Sequence, residues 1–147
     1  MGKEHGPIKL LFFVIIFLSY IFFIVWITLL KRTPGTDRRI ITDIFWSFKL
    51  WFKGSKRGRR EVVQYIKNIL LFIPYGLLFP SKDKGWRMIV ITAIILSGVI
   101  EMFQYVFVLG WCELDDVISN AVGAIIGYGV FLTYIRVFGE NHLWKEF

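Results

Sequence analysis

The chain has 147 residues, of which 56% are hydrophobic and 18% aromatic, and its formal net charge is +7. The apolar residues are collected in long uninterrupted blocks, which is typical of a membrane protein rather than of a soluble domain. Its length favours one small domain over residues 1–147, with no room for a separate soluble domain. Nucleic-acid binding is not expected, because the basic residues flank apolar blocks and are typical of juxtamembrane positions that meet lipid headgroups.

Four apolar blocks predict four transmembrane helices in a small bundle. They cover about residues 8–30, 62–80, 88–109 and 117–138. The first block is long enough to cross ~30 Å of hydrocarbon, and it lacks the small-residue cleavage site of a signal peptide. The second block is the weakest, because Gln64, Lys67, Asn68 and Pro74 interrupt it. The predicted fold class is therefore an all-α membrane protein that crosses the cell membrane several times.

An amphipathic segment lies in the first loop, between the first two blocks. Its apolar residues recur at three-to-four spacing and are Ile40, Ile41, Ile44, Phe45, Phe48, Trp51 and Phe52. This pattern predicts a helix over about residues 40–52 that lies on the bilayer surface, with Trp46 and Trp51 in the headgroup zone. A re-entrant element that covers the bundle is the alternative. The basic run of residues 54–60 that follows is predicted to be a solvated loop.

Polar side chains occur at positions that should lie within the membrane. A charged residue at the centre of a transmembrane helix costs ~2.5–3.5 kcal/mol on insertion scales, so Glu101 is expected to be retained for a reason. Three sets of residues each share one helix face by their spacing. The sets are Asn68 and Tyr75; Ser97, Glu101 and Gln104; and Asp116, Asn120, Gly123 and Gly127.

The alternation of helix direction brings these polar positions toward one membrane face. We expect a polar cavity open to that face, with Glu101 at its floor and Asp115 and Asp116 at its rim. The predicted cavity residues are Asn68, Tyr75, Glu101, Gln104, Glu113, Asp115, Asp116 and Asn120. Glu101 is also the candidate catalytic residue.

Structural explanations compete with function for several of these residues. Gln104 and Asn120 are equally explained as hydrogen-bonding groups between helices. Glu101 could be a neutral buried carboxyl, and the two aspartates suit the cap and first turn of the last helix. Helix packing is the favoured role for a further set, namely Pro74, Gly76, Gly123 and Gly127.

An intramembrane enzyme is the alternative function. Glu101, Asp115 and Asp116 offer the hard oxygen ligands that Mg²⁺ or Ca²⁺ prefers, and Glu101 would then serve as a general base. The sequence has no metal-binding His pair, no nucleophile motif and no glycine loop for phosphates, so we expect no cofactor and favour binding over catalysis. The single cysteine, Cys112, excludes an intramolecular disulfide.

Three motifs in the chain resemble those of the VanZ-like family of membrane proteins. The first is similar to the family's Asn-Phe-Pro-Gly signature and consists of Asn68, Phe72, Pro74 and Gly76. The second resembles its Glu-x-x-Gln helix and consists of Glu101 and Gln104. The third resembles its acidic loop and glycine helix and consists of Glu113, Asp115, Asp116, Asn120, Gly123 and Gly127. A Pro-Phe pair common in the family before the second helix is absent, so any role of that loop does not carry over directly.

The resemblance implies a link to resistance against teicoplanin, a lipoglycopeptide that acts at the outer cell-wall precursor. It also implies that the cavity faces outward, with both termini in the cytoplasm, although the Lys and Arg distribution weakly favours the opposite orientation. The expected partners are membrane lipids and a lipid-linked or glycopeptide ligand. The sequence leaves the oligomeric state open.

Overall fold

The computed structural model describes residues 6–79 and 85–138, and this part of the chain is mostly helical. The helices are α1 (Gly6–Val25), which continues into a π-helical turn (Trp26–Leu30), then α2 (Trp46–Phe52), α3 (Lys56–Leu77), α4 (Gly85–Val106) and α5 (Leu114–Phe138). Two short strands, β1 (Ile40–Ile41) and β2 (Cys112–Glu113), pair in parallel. The strand pair ties the first loop to the third.

Three segments in the described residues are long and apolar enough to cross a membrane. They are Leu11–Leu30, Gly85–Val106 and Leu114–Val137. Helix α3 differs, because it begins six residues before the predicted block and includes most of the basic run of residues 54–60. The prediction of a solvated loop at that run is wrong: Ser55 caps the helix through Gly58 N–H, which donates to Ser55 Oγ over 3.4 Å.

The amphipathic segment is helical over only part of its predicted range. The prediction of a helix from residue 40 is wrong, because β-branched Ile40 and Ile41 pair with β2 instead. Phe45 has a left-handed backbone with φ 58°, which no α-helix continues through, so α2 begins at Trp46. Helix α2 then packs on the start of α3, where a Cβ at Gly58 would overlap the Trp51 backbone.

Helices α3 and α5 run side by side in the same direction with their backbones almost in contact. A Cβ on Gly123 would overlap the Ile69 carbonyl, and one on Gly127 would overlap the Ile73 carbonyl. Gly76 of α3 meets the Ala124 carbonyl in the same way. Small residues allow this close approach, which stabilises helix pairs in membranes through van der Waals contact.

The apolar core lies beside this pair and is completed by α1 and α4. It contains Ile24, Phe72, Ile89, Ile100 and Phe131, among others, all nearly inaccessible. Outside it, α1 and α4 expose many large apolar side chains, as helices that face lipid do. The core holds the bundle together below the polar residues, which gather at one end.

Candidate functional site

The end of the bundle opposite the N-terminus of α1 holds a buried polar cluster. Its members from the predicted set are Asn68 of α3, Glu101 and Gln104 of α4, and Asp115, Asp116 and Asn120 of α5. All six side chains are at most 9% exposed. The structure therefore brings together polar residues of three helices that lie far apart in sequence.

Glu101 holds the acidic third loop against α4. Its carboxylate accepts a hydrogen bond of 2.9 Å from the Glu113 backbone N–H. A second bond fixes the same loop to the first one, since Cys112 N–H donates to the Arg39 carbonyl over 2.9 Å. The carboxylate that was expected at a cavity floor thus sets the position of the residues above it.

Asp115 is turned toward α2, away from the cavity in which it was predicted to form part of the rim. Its two carboxylate oxygens accept hydrogen bonds from Phe45 N–H at 2.6 Å and from Ser47 Oγ at 2.7 Å. The neighbouring Glu113 accepts a bond of 3.0 Å from Trp46 Nε1. Consecutive residues of a helix point about 100° apart, so Asp115 anchors α2 while Asp116 is turned toward Asn68 and the cleft.

Asp116 and Asn120 point inward from α5. The Asn68 side chain hydrogen-bonds the Asp116 carboxylate, and Gln64 in turn donates to Asn68 Oδ1 over 3.1 Å. Asn120 donates to Ser97 Oγ over 2.7 Å. Its own Oδ1 is buried and lacks a hydrogen-bond partner in the described structure, an unusual and costly condition for a buried acceptor.

Arg32 is a member of the cluster that the sequence analysis did not identify. Its guanidinium donates to Gln104 Oε1 over 3.3 Å and supplies positive charge facing Glu101 and Asp116. Gly110 leaves the space that the guanidinium occupies, since a Cβ there would lie 2.6 Å from it. The sequence did contain one indication of this role, because Arg32 follows the first apolar block at the membrane face where the cavity was predicted.

Tyr75 does not belong to this cluster, which corrects its placement in the predicted cavity. It is 3% exposed and packs against the rings of Phe17, Phe72 and Phe79, with its hydroxyl bonded to Thr92. Seven residues separate it from Asn68, which keeps it on the same face but places it about 10 Å deeper. At that depth the helix faces the apolar core.

A charged cleft of about 1020 Å³ opens above the buried cluster. Its cations are Arg32, Lys56, Arg59, Arg60 and Lys67, and its acids are Glu61, Glu113 and Asp116. Helix α3 supplies most of them, because its first turns carry the basic run at a spacing that repeats on one face. Cations therefore outnumber acids on the cleft wall.

Trp111 forms another wall of the cleft and is held between two guanidinium groups. Arg57 lies 3.9 Å and Arg39 lies 4.8 Å from the ring centroid. Arg57 also stacks 5.5 Å from Trp46 and pairs with Glu61 at 3.4 Å. Such cation–π contacts are worth about 0.5–2 kcal/mol each, and here they join the first loop, α2 and α3 around the third loop.

The third loop has two titratable groups with shifted pKa values. Burial raises the pKa of Glu113 to about 8, with further contributions from the negative charges of Asp116 and Glu61. Burial also raises the pKa of the Cys112 thiol, and Glu101 adds to this effect. Both groups consequently favour their neutral forms at neutral pH.

The speculative metal ligands Glu101, Asp115 and Asp116 do not converge. Asp115 is engaged by α2, and the described residues contain no group of three or more His, Cys, Asp or Glu side chains arranged to hold a metal ion.

Comparison with known proteins gives the chain a family. The VanZ/LLP1 family matches residues 17–137. The chain belongs to this family. A 70-residue region is 33% identical to Protein VanZ of Enterococcus faecium and covers 46% of this chain and 44% of that protein, so the chain spans less than half the length of this curated relative. No solved structure matches.

The structure shows how the motifs of this VanZ/LLP1-family membrane protein relate to one another. The asparagine motif begins at Asn68 in α3, the Glu-x-x-Gln pair begins at Glu101 in α4, and the acidic motif begins at Glu113 before α5. Hydrogen bonds join Asn68 to the third motif and Glu101 to Glu113. All three motifs thus meet at the floor of the charged cleft.

Proposed function

We propose that this protein lowers susceptibility to teicoplanin-type glycopeptides by binding a lipid-linked or cell-surface molecule in the charged cleft, or by changing how that molecule is exposed. The observation that carries the proposal is the cleft itself, in which five cations surround a floor of buried carboxylates and amides from three helices. Membership of the VanZ/LLP1 family and the similarity to Protein VanZ support it.

The proposal includes a multi-pass arrangement in the cell membrane. In it, α3 is a fourth spanning helix, because its apolar second half packs closely against α5 at Gly123 and Gly127. The charged first half of α3 then stands in the headgroup zone and forms the cleft wall. The cleft faces outward and both termini lie in the cytoplasm, as an antibiotic or precursor outside the cell requires.

The proposal also assigns an interfacial position to α2. Its outer face carries Trp51 and Phe52, which are 43% and 81% exposed, and the preceding Ile44 and Phe45 are similarly uncovered. Aromatic side chains of this kind favour the headgroup region. Anchored by Asp115 and Glu113, α2 lies on the bilayer surface and covers one side of the bundle.

Asp116 and Glu113 line the cleft, so they are the acids that would meet a ligand, whereas Glu101 acts by holding Glu113 in place. The test is teicoplanin susceptibility of a sensitive strain that expresses the protein. Asp116→Asn and Glu101→Ala, which removes the acceptor for the Glu113 N–H, should each reduce protection at equal membrane abundance. Asp43→Asn, at an exposed site outside the cleft, is the matched control and should protect fully.

Two results would contradict the proposal. If the wild-type protein gave no protection at verified membrane expression, the link to glycopeptide action would be wrong. If the wild type protected and both site variants protected equally, the cleft would have no part in the function.

A further inference from the structure

A second cavity adjoins the charged cleft and is lined by residues of α1 and α3. Its volume is about 610 Å³, and its walls include the apolar side chains of Phe23, Ile27, Leu70 and Leu71. Arg32, Gln64 and Lys67 line both cavities. The two spaces therefore meet at these three polar residues, with a charged compartment on one side and an apolar groove on the other.

We infer that the two adjoining cavities hold one lipid, whose phosphate group lies in the charged cleft and whose hydrocarbon chain lies in the groove between α1 and α3. The inference rests on the proposed function and names the chemical class of its ligand. Arg32, Gln64 and Lys67 would contact the junction between headgroup and chain.

The charge of the cleft identifies the headgroup as an anion. None of the ion pairs among the described residues involves the five cleft cations. Arg32 already faces Glu101 and Asp116, so the charge available to a ligand is that of Lys56, Arg59, Arg60 and Lys67. Guanidinium and ammonium groups bind phosphate oxygens through short charge-assisted hydrogen bonds. Glu113, whose pKa is raised by burial, favours its neutral form in this cleft at neutral pH and opposes an anion less than an ordinary glutamate would.

The groove has the form expected for a hydrocarbon chain. At its deep end α1 contacts α3 through the Tyr20 hydroxyl, which donates to the Leu71 carbonyl, and through Phe17, whose ring lies 5.7 Å from that of Tyr75. From Tyr20 to Arg32, roughly 18 Å along the chain at the rise of a helix, residues of the first helical segment line the groove. The π-helical turn Trp26–Leu30 lies in this stretch, and such turns recur at functional sites.

The partly exposed walls show that a chain could reach the groove from the bilayer. Leu70 is 59% and Phe23 is 40% exposed on the outer side of the α1–α3 pair. A lipid could thus slide in laterally without leaving the hydrocarbon region, while its phosphate stays at headgroup level beside Lys67. Neither a free phosphate nor an uncharged diacylglycerol would fill both compartments.

Native mass spectrometry of the protein purified in dodecyl maltoside tests the inference. Dioleoyl phosphatidic acid is the probe, and dioleoylglycerol has the same chains without the phosphate. The wild type should retain phosphatidic acid about tenfold more strongly than dioleoylglycerol, the equivalent of about one charge-assisted hydrogen bond. Inorganic phosphate, which has no chain, should compete only weakly.

Two variants probe the two compartments separately. Lys67→Gln removes a junction cation, and Leu70→Trp fills the groove from an exposed position that the core does not need. Both should lower retention of phosphatidic acid several-fold. The matched controls are Lys53→Gln, outside both cavities, and Ile95→Trp, which is 60% exposed on α4; both should bind as the wild type does, with similar melting temperatures for all four.

Several outcomes would overturn the inference. Equal retention of dioleoylglycerol would contradict the phosphate site, and full competition by inorganic phosphate would contradict the groove. Wild-type binding by both Lys67→Gln and Leu70→Trp would contradict the location. Teicoplanin susceptibility is read independently, so a protein that binds the lipid without protecting cells retains the inference and refutes the proposed function.

Discussion

The Glu113 backbone N–H donates a hydrogen bond to the buried Glu101 carboxylate over 2.9 Å. This bond crosses from the acidic loop to α4 and places the Glu113 side chain between the cleft and Trp46 Nε1. The most deeply placed acid of the site therefore acts on the cleft through a backbone group. It gives Glu101 a positioning role whose loss is measurable in stability as well as in function.

Removing the Glu101 acceptor should destabilise the protein. Glu101→Ala leaves the Glu113 N–H unsatisfied, and an unsatisfied buried donor costs about 1–3 kcal/mol. Glu101→Gln keeps an oxygen acceptor and should lie close to the wild type. Thermal unfolding in detergent measures the relative stabilities of these variants and the wild type. Met102→Ala, at a neighbouring position that is 55% exposed, is the control. Equal melting temperatures for Glu101→Ala and the wild type would exclude this role.

The raised pKa of Glu113 predicts a stability that falls as pH rises. Its folded-state pKa of about 8 lies above the usual value near 4.5, so between these values the folded protein binds more protons than the unfolded one. Its stabilising contribution is complete below pH 4.5 and is lost as pH rises through 8. Melting temperatures measured from pH 5 to 9 should fall less steeply for Glu113→Gln than for the wild type.

The matched control for this pH series is Asp43→Asn, which neutralises an exposed carboxylate that pairs with Lys49. It should keep the wild-type slope. Glutamine at residue 113 can still accept the Trp46 hydrogen bond, so the comparison isolates the titration. A Glu113→Gln slope equal to that of the wild type would show that this carboxyl does not govern the pH response.

Cys112 should alkylate slowly at neutral pH. Burial, together with the nearby Glu101, raises the pKa of its thiol, and only the thiolate is nucleophilic. Intact-mass measurement after iodoacetamide at pH 7.5 should show slower modification than that of free cysteine. A wild-type rate that matches free cysteine would contradict this account.

Much of the site's composition follows from periodicity and helix alternation. Asn68, Glu101 and Asp116 could be grouped because alternating helices place their polar ends on one side, and the structure brings them together. Polar residues within apolar blocks are informative because burying a polar group without a hydrogen-bond partner costs free energy. Such residues are therefore expected to lie next to one another in the fold. Comparable reasoning predicted the helices that follow Met88 and Val117 to within a few residues of their observed starts.

The remaining features depend on how each helix is rotated about its axis and how deep each residue lies in the bundle. A pattern of residue types does not contain this information. Asp115 and Asp116 are adjacent in sequence yet serve different elements, because one residue turns a helix by about 100°. Arg32 was missed because an arginine at the end of an apolar block is equally explained by lipid phosphates. The basic residues at the start of α3 were predicted to form a loop because a basic run beside an apolar block is also explained by contact with lipid phosphates.

The proposed orientation predicts which sites an impermeant thiol reagent reaches in whole cells. In a Cys112→Ser background, a cysteine placed at the exposed Asp43 should be labelled from outside. A cysteine placed at Lys145 should be labelled only after the cells are opened. The reverse pattern would put the cleft in the cytoplasm, where the first-loop excess of Lys and Arg alone would place it.

Two Gly→Ala substitutions in α5 should have opposite effects on stability, one through helix packing and the other through helix propensity. Gly123→Ala adds a Cβ that would overlap the Ile69 carbonyl. Because this carbonyl belongs to the backbone, it cannot move aside as a flexible side chain can. Helices α3 and α5 must therefore move apart, which should destabilise the protein by about 1–3 kcal/mol. Gly129→Ala, in the same helix, adds a Cβ with nothing within 4 Å, and relief of the glycine's entropy should stabilise it by about 0.5–1 kcal/mol. Thermal unfolding should therefore shift in opposite directions for the same chemical change. A Gly123→Ala protein as stable as the wild type would show that the α3–α5 contact on which the cleft floor rests is looser than this packing requires.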